Sequence, residues 1–140
     1  VYNVSSIDPI KKVAKMLGWT GGKTEKDRLF LSDLKLLATK YNNTPYEYIK
    51  SNILIFNDYN TGTNLMFIHV REPEEISKIV TNFDCCTLLI QNLNVPGIKT
   101  NMADARVNNF EYDFVIDNSG TLEDLQAKAE QFVKHLFSRK

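Results

Sequence analysis

The sequence has no long hydrophobic run, and its cysteines are few. The apolar stretches at residues 65–70 and 86–90 are far too short to span a bilayer. The first residues lack a basic segment followed by an apolar one, so we expect no signal peptide. Cys85 and Cys86 are adjacent, a spacing that favours neither a disulfide framework nor a zinc site. We therefore expect a reduced, cytoplasmic protein with no membrane partner and no bound structural metal.

The sequence also lacks an excess of charge of either sign. Lys plus Arg and Asp plus Glu are both 17, so the formal net charge is zero. This balance gives no electrostatic reason to expect nucleic acid as a partner, although a local basic patch for a phosphorylated small molecule stays possible. The length of 140 residues fits one domain, residues 1–140, able to bury roughly two-thirds of the unfolded chain's surface.

Complete glycine-rich nucleotide motifs are absent. No GxGxxG pattern follows a predicted strand, which disfavours a Rossmann-type binding domain. The loop WTGGKT at residues 19–24 supplies only the last three letters of the phosphate-binding pattern GxxxxGK[ST], and Leu17 stands where its first glycine belongs. A predicted helix, not a strand, precedes this loop. We interpret residues 19–24 as a flexible basic loop.

Hydrophobic spacing and helix caps predict alternating strands and helices. Strands are predicted at residues 1–5, 64–70, 86–91 and 112–116. Helices are predicted from the cap at Ser6 or Asp8 to Gly18, over Glu25–Asn42, from a Thr44 cap to residue 56, over Pro73–Asn82, and over residues 121–137. Alternation of this kind predicts an α/β fold, a three-layer αβα arrangement with a mainly parallel sheet.

Two helices show a one-sided apolar pattern. On the second helix, one side is predicted to carry Leu29, Phe30, Leu34, Leu37 and Ala38. On the last helix, the inner face is predicted to carry Leu122, Leu125, Ala129, Phe132, Val133 and Leu136. Thr121 and Asp124 have the spacing of a capping box with Asp in place of Glu.

Ligands of an open parallel sheet bind at the carboxyl ends of its strands. That rule selects residues 5–12, 69–75, 91–109 and 117–121, whose polar groups should converge on one pocket. In the second segment, Arg71 can bind phosphate or carboxylate bidentately, or can pair with Glu74 or Glu75 and fix the turn. His69 in a buried strand is more typical of a hydrogen-bonded core histidine than of a catalyst.

The other segments leave comparable alternatives open. Asp8 and Lys11 are either a helix cap and a solvated lysine, or groups that orient a substrate. Lys26 and Arg28, with neighbouring Lys23, form either a solvated face or a site for an acceptor phosphate.

Two further stretches follow the later strands. Asn118, Ser119 and Gly120 form a turn into the last helix. The stretch 92–109, which contains Lys99 and Arg106, is too long and polar for a simple connector. It is interpreted either as a lid over a phosphate site or as a surface loop.

Three segments, in this order, resemble motifs of the deoxynucleoside monophosphate kinase family, P-loop NTPases related to dephospho-coenzyme A kinase. SIDPIK at residues 6–11 is similar to an "ADPLK"-like helix start. HVREPEE at residues 69–75 resembles a "DVRFPNE"-like strand end, and NSGTL at residues 118–122 matches an Asn-x-Gly-x-Leu turn. Residues 24–60 would form the helical acceptor-binding insertion, and residues 92–109 the lid.

The resemblance implies an ATP-dependent phosphotransferase acting on a nucleotide or similar metabolite, with ATP and Mg²⁺ as cofactors. Asp8 and Lys11, with the basic pair Lys26 and Arg28, would bind the acceptor. Arg71 would act at the active-site edge, together with the lid cations Lys99 and Arg106. The turn formed by Asn118, Ser119 and Gly120 would approach the adenine.

The chain departs from the family pattern at three places. His69 stands where the family has Asp, and Glu72 replaces a bulky apolar residue. The first strand and phosphate loop are missing, and the resemblance places them in roughly 25–30 residues before Val1. The alternative is a non-catalytic nucleotide-binding or regulatory module. A sheet edge left open by the missing strand would also predict strand exchange, and hence a possible homodimer.

Overall fold

The structure, a computed structural model, describes residues 1–59, 64–95 and 106–138. Within these ranges, short strands alternate with five α-helices. In chain order the elements are β1 (Tyr2–Ser5), α1 (Asp8–Met16), α2 (Glu25–Asn42), α3 (Thr44–Tyr59), β2 (Met66–His69), α4 (Pro73–Asn82), β3 (Leu88–Gln91), a 3₁₀ turn (Val107–Asn109), β4 (Phe114–Asp117) and α5 (Leu122–Ser138).

The strands form two separate parallel pairs. β1 pairs with β2 in the register Tyr2↔Met66, and β3 pairs with β4 in the register Leu88↔Phe114. The predicted mixed α/β character and the parallel pairing are confirmed. Within the described residues the two pairs are not joined into one sheet, so the three-layer arrangement and the P-loop NTPase fold stay predictions.

Helix boundaries follow the local signals closely. The bounds of α2 and α4 agree with those predicted from the sequence. Gly18 follows the end of α1 with a φ of 96°, a conformation that favours glycine. The Thr121–Asp124 capping box is also confirmed, because each main-chain N–H donates to the other residue's side chain, at 3.0 and 3.2 Å.

Two predicted caps are wrong. The residue before α1 is Ile7, which provides no side-chain cap, and the Asp8 carboxylate instead accepts from the N–H of Ser5 at 2.8 Å. Thr44 is the first residue of α3, and its hydroxyl bonds to the side chain of Asn42. In both cases the polar side chain bonds to a residue earlier in the chain and not to the amides of its own helix.

The second strand pair begins two residues later than predicted. Thr87 donates its N–H and its hydroxyl to the Asp113 carboxylate, each at 2.8 Å, and the Asp113 N–H donates to the Thr87 hydroxyl at 2.8 Å. These side-chain hydrogen bonds link the two segments just before β3 begins at Leu88 and β4 begins at Phe114. The regular ladder therefore starts only after them.

The core lies mainly in the first part of the chain. Val4, Ile49, Ile53 and Ile79 form one buried cluster. By contrast, α2 and α5 contain no buried residue. The predicted inner faces of α2 and α5 are thus only half-buried at best, with Leu37 and Leu122 largely exposed. Among the described helices, none is long and apolar enough to cross a membrane.

Candidate functional site

The carboxyl ends of β1 and β2 meet in one polar corner. The N–H of Ser6 donates to the His69 carbonyl at 3.2 Å, which carries the strand pairing one residue beyond β1. Ser6 itself is buried, and the turn after it is closed by the Asp8 carboxylate. This geometry follows directly from two parallel strands that end side by side.

Lys35 from α2 reaches into this corner. Its ammonium donates to the Ser6 hydroxyl at 2.8 Å, to Glu72 at 2.7 Å and to Glu75 at 2.9 Å. The Lys35 side chain is 12% exposed, so the charge is largely removed from water. We call Ser6, Lys35, Glu72 and Glu75 the Lys35 cluster. It connects α2 to the end of β1 and the start of α4.

The two carboxyls of the Lys35 cluster are electrostatically unequal. Burial acts to raise the pKa of Glu72, but the charge and hydrogen bond of Lys35 outweigh it and hold that pKa below the usual range. At Glu75 burial prevails over Lys35, with Glu72 adding repulsion, and the pKa is raised. The Lys35 cluster therefore favours the charged form of Glu72 and the neutral form of Glu75.

Sequence reasoning missed Lys35. The signal was present, because Lys35 lies four residues after Leu31 and three before Ala38, a spacing that places it on the half-buried stripe of α2. A charged residue on such a stripe requires a partner. The two glutamates predicted as alternative partners of Arg71 form ion pairs with other cations as well, Glu75 with Lys35 and Glu74 with Arg106.

The predicted catalytic cations occupy different positions. Arg71 is exposed immediately after β2, at the edge where it was predicted. Arg106 forms an ion pair with Glu74 at the start of α4, and this pair lowers the pKa of Glu74 through the hydrogen bond. Lys99 lies outside the described residues, as does most of the predicted lid.

His69 is exposed, so its prediction as a core histidine is wrong. Its Nε2 lies 3.2 Å from the side-chain oxygen of Asn3 on the neighbouring strand. In the described residues β1 and β2 form a sheet of only two strands, and the His69 side chain at the end of β2 is not covered by another element.

The predicted acceptor-binding cations lie on two helices. Lys11 is half-buried on α1, and Lys26 is exposed in the first turn of α2. Arg28 donates to the Lys23 carbonyl at 3.2 Å. Lys11 thus lies on α1 before the WTGGKT loop, and the other two cations lie on α2 after it.

The WTGGKT loop is unsuited to cradle phosphate. Thr24 and Asp27 form a reciprocal capping box, in which the Asp27 N–H donates to the Thr24 hydroxyl at 3.2 Å. This box uses the Asp27 amide in the first turn of α2 and the Thr24 amide before it, two donors that an anion at this helix end would need. It also places the Asp27 carboxylate there, with its pKa lowered by the hydrogen bond from the Thr24 side chain.

The second polar edge follows β3 and β4. The Asn118 N–H donates to the Gln91 carbonyl at 2.7 Å, and the Ser119 N–H donates to the Asp117 carboxylate at 2.9 Å. The Ser119 hydroxyl accepts from the N–H of Leu93 at 2.7 Å. A Cβ at Gly120 would lie 2.7 Å from the Asp124 carboxylate, so this position requires glycine or a shift of that side chain.

Two cavities lie against the strand pairs, and the second of them reaches Asp117 at the second polar edge. One of about 280 Å³ lies between β1 and α3, against Tyr2 and Phe56. The other, of about 530 Å³, lies between β4 and α5, against Val115 and Phe132. The polar groups that were predicted to converge on one pocket therefore lie at two edges, one on each sheet. Neither cavity is lined by a predicted site residue.

The described residues do not fit a Mg²⁺ site. No group of three or more His, Cys, Asp or Glu side chains is arranged in them to hold a metal ion. The neighbouring carboxylates of Glu72 and Glu75 both bind the Lys35 ammonium. Comparisons of the chain with protein-family models, with curated proteins and with solved structures find no match.

Proposed function

We propose that this chain contributes the substrate-binding body of an ATP-dependent phosphotransferase that acts on a nucleotide or a similar small phosphorylated metabolite. One observation carries the proposal: polar groups follow the carboxyl ends of parallel strands in both sheets. Asp8 and Arg71 lie after β1 and β2, and Ser119 lies after β4. Ligands of parallel α/β sheets bind at such edges.

Arg71 is the strongest candidate for contact with a phosphate. Arg71 is exposed after the end of β2, and its planar guanidinium matches two oxygens of a phosphate. Lys11, Lys26 and Arg28 are the further cations proposed for the acceptor. The turn at Asn118, Ser119 and Gly120 is proposed to contact the adenine of ATP.

The finer fold assignment belongs to the same proposal. A three-layer P-loop NTPase arrangement requires a phosphate loop and Mg²⁺ ligands, and the described residues fit neither. We therefore derive no step through the metal. The roles proposed for this chain are to orient the acceptor and to offset the charge of its phosphate.

A non-catalytic nucleotide-binding or regulatory module is the second candidate. The observation that favours it is the pairing of Lys35 and Arg106 with carboxylates of Glu72, Glu75 and Glu74. Cations that are already neutralised contribute little to a phosphoryl-transfer transition state. Such a module would bind nucleotide without transferring phosphate.

Phosphoryl transfer from ATP to a panel of nucleoside and deoxynucleoside monophosphates tests the proposal. The natural full-length protein is assayed with Mg²⁺, beside Arg71→Ala and a control, Lys134→Ala, which removes an exposed cation from α5. Loss of one charge-assisted contact should lower kcat/KM by about 10- to 100-fold for Arg71→Ala, and the control should not change it.

Calorimetric titration with a non-hydrolysable ATP analogue separates the two candidates. Binding with no transfer to any acceptor supports the regulatory module. If neither binding nor transfer occurs in the full-length protein, both candidates are wrong.

A further inference from the structure

A cavity of about 280 Å³ lies at the amino ends of β1 and β2. Tyr2 and Met66, the first residues of the two strands, pair in register, and both line the cavity. The Lys35 cluster lies at the carboxyl ends of the same strands, and none of its members lines the cavity. The residues proposed to bind the acceptor or ATP do not line it either. We call this space the Tyr2 cavity.

The walls of the Tyr2 cavity belong to regular elements. β1 contributes Tyr2 and Val4, and α3 contributes Phe56. Val4 is buried in the core cluster together with Ile53, which lies three residues before Phe56 and hence on the same side of α3. The rings of Tyr2 and Phe56 meet edge to face, with their centroids 5.2 Å apart. The shape of the cavity is therefore set by core packing and by one aromatic contact.

Asn3 brings main-chain groups of β1 to the cavity. The N–H of Tyr2 donates to the Leu65 carbonyl at 2.8 Å. Four residues later, the N–H of Ser6 donates to the His69 carbonyl at 3.2 Å. Alternate residues of a parallel ladder bond to the same neighbour, so the main-chain N–H and C=O of Asn3 point away from β2. The Asn3 N–H is thus a donor that the pairing of β1 with β2 does not use.

Asn52 of α3 supplies an acceptor. Its Nδ2 donates to the Tyr48 carbonyl at 2.8 Å, which fixes the carboxamide and leaves Oδ1 to accept a hydrogen bond. Apart from Asn3, the other side chains that line the cavity are apolar or aromatic, and none of these described residues is charged. An apolar body with a few polar atoms is typical of a small-molecule site, and the lack of lining charges disfavours a charged ligand.

We propose that the Tyr2 cavity binds a small, uncharged, planar molecule that carries a lactam, a ring in which an N–H stands beside a C=O. The lactam C=O accepts from the Asn3 N–H, and the lactam N–H donates to the Asn52 Oδ1. The ring body packs against Tyr2 and Phe56. A cavity of about 150 Å³ accommodates one benzene ring, so the Tyr2 cavity of about 280 Å³ accommodates two fused rings.

This ligand class differs from that of the proposed function. A nucleotide carries a charged phosphate, and no cation among the described residues lines the Tyr2 cavity to offset that charge. An aliphatic chain would fill the apolar volume but would leave the Asn3 N–H and the Asn52 Oδ1 without partners once water is displaced. The proposal therefore holds whether or not the chain transfers phosphate.

NMR titration of the natural full-length polypeptide tests the proposal without any nucleotide. The probe is 2-quinolinone, a two-ring lactam, and its matched control is N-methyl-2-quinolinone, which keeps the rings and the C=O but has no N–H. We expect 2-quinolinone to shift the amide signals of Asn3 and Phe56, but not that of Ile116 in the second sheet, with a Kd of about 1 mM or tighter. The N-methyl control should bind about 3- to 10-fold more weakly.

Two substitutions on α3 locate the site. Ile55 lines the cavity and Leu54 does not, although the two residues are similarly exposed, at 57% and 48%. Ile55→Trp should fill the cavity and lower the affinity for 2-quinolinone at least about 10-fold, whereas Leu54→Trp should leave it within about 2-fold of the wild type. Both positions are largely exposed, so both variants should stay folded, and circular dichroism checks this.

Asn52→Leu tests the hydrogen bond itself. This substitution keeps the size of the side chain but removes Oδ1, so the affinity for 2-quinolinone should fall about 3- to 10-fold while the affinity for the N-methyl control stays unchanged. A purely structural role of Asn52, through its bond to the Tyr48 carbonyl, would weaken the binding of both molecules alike and would contradict the proposal.

Three further outcomes overturn the proposal. The first is the absence of shifts at Asn3 and Phe56 with 2-quinolinone at about 5 mM, well above the weakest expected Kd. The second is equal affinity for 2-quinolinone and its N-methyl control, which identifies an apolar surface without the lactam contacts. The third is an equal effect of Ile55→Trp and Leu54→Trp, which places the probe elsewhere. None of these outcomes depends on phosphoryl transfer, so failure here is distinct from failure of the proposed function.

Discussion

At the scale of single residues, Lys35 is the side chain on which the first polar corner depends. Replacing Lys35 with Met keeps the aliphatic stem but leaves Glu72 and Glu75 without a cation. We expect the free energy of unfolding to fall by about 2–3 kcal/mol, below the usual range for buried pairs because Glu72 is partly exposed. Urea unfolding monitored by circular dichroism measures this.

The matched control is Lys50→Ala. Lys50 lies 3.7 Å from Glu47, and both side chains are largely exposed. Its loss should change the free energy of unfolding by less than about 0.5 kcal/mol. Equal effects of the two lysine substitutions would show that the Lys35 cluster is not a stabilising unit.

The contributions of the two Lys35-cluster carboxyls to the free energy of unfolding should depend on pH in opposite directions. A lowered pKa at Glu72 gives stability above the ordinary glutamate value of 4.5, and this stability is lost as pH falls through the lowered folded-state pKa. The raised pKa of Glu75 favours its neutral form, so its contribution is present below 4.5 and is lost as pH rises through the raised folded-state pKa.

Glutamine substitutions separate these contributions. At pH 7, Glu72→Gln should lower the free energy of unfolding, and Glu75→Gln should raise it or leave it unchanged, because an uncharged side chain relieves repulsion of Glu72. As pH falls from 7, the difference for Glu75→Gln should shrink first, through the raised pKa of Glu75, and the difference for Glu72→Gln only later, through the lowered pKa of Glu72. Urea midpoints across this pH range provide the measurement, and parallel pH profiles for the two variants contradict the assignment.

At the scale of elements, the capping box of α2 is the clearest local determinant. Thr24→Ala removes the acceptor of the Asp27 N–H and the donor to its carboxylate. We expect a loss of about 1 kcal/mol in the free energy of unfolding, measured by urea titration. Thr20→Ala, in the exposed part of the same loop, is the control and should stay within about 0.5 kcal/mol of the wild type.

Helix limits could be predicted from sequence where the signal is local. Thr-x-x-Asp and Pro at a helix start depend on residues within one turn of each other, and α2 and α4 begin and end as predicted. Strand limits could not be predicted as well, because they depend on distant partners. The late start of β3 results from Asp113, 26 residues away from Thr87.

The candidate site shows the same contrast between features set by local sequence and features set by distant partners. The position of Arg71 at the end of β2 follows from the strand pattern alone. The partners of Glu74 and Glu75 do not, because they are contributed by Arg106 and Lys35 from remote segments. Which charges pair between distant segments depends on tertiary packing, and the hydrophobic periodicity of the sequence does not specify that packing.

At the scale of the whole molecule, the buried core is unevenly distributed. Ile49 is fully buried within the first sheet's cluster, whereas β3, β4 and α5 have Ile116 as their one buried apolar side chain. We expect residues 1–140 to open locally at β4 and α5 before the first sheet opens. Native-state hydrogen exchange in low denaturant should show a lower opening free energy for Ile116 than for Ile49.

Two substitutions check this distribution. Ile49→Ala should lower the free energy of unfolding by about 3 kcal/mol, since it leaves a cavity in the cluster. Val133→Ala, on the partly exposed face of α5, should cost less than about 1 kcal/mol. Equal opening free energies for both sheets, with equal costs of these substitutions, would identify a single cooperative core.

The registers of the two pairs also bear on the order of folding. Partners in β1 and β2 are 64 residues apart, whereas the contacts that start β3 and β4 span 26. Closing the longer loop costs about 0.8 kcal/mol more in chain entropy, so the β3–β4 pair should form first. The β3–β4 pair, which has the fewest buried apolar side chains, is therefore expected to form first. It is then only weakly stabilised until the slower β1–β2 sheet assembles.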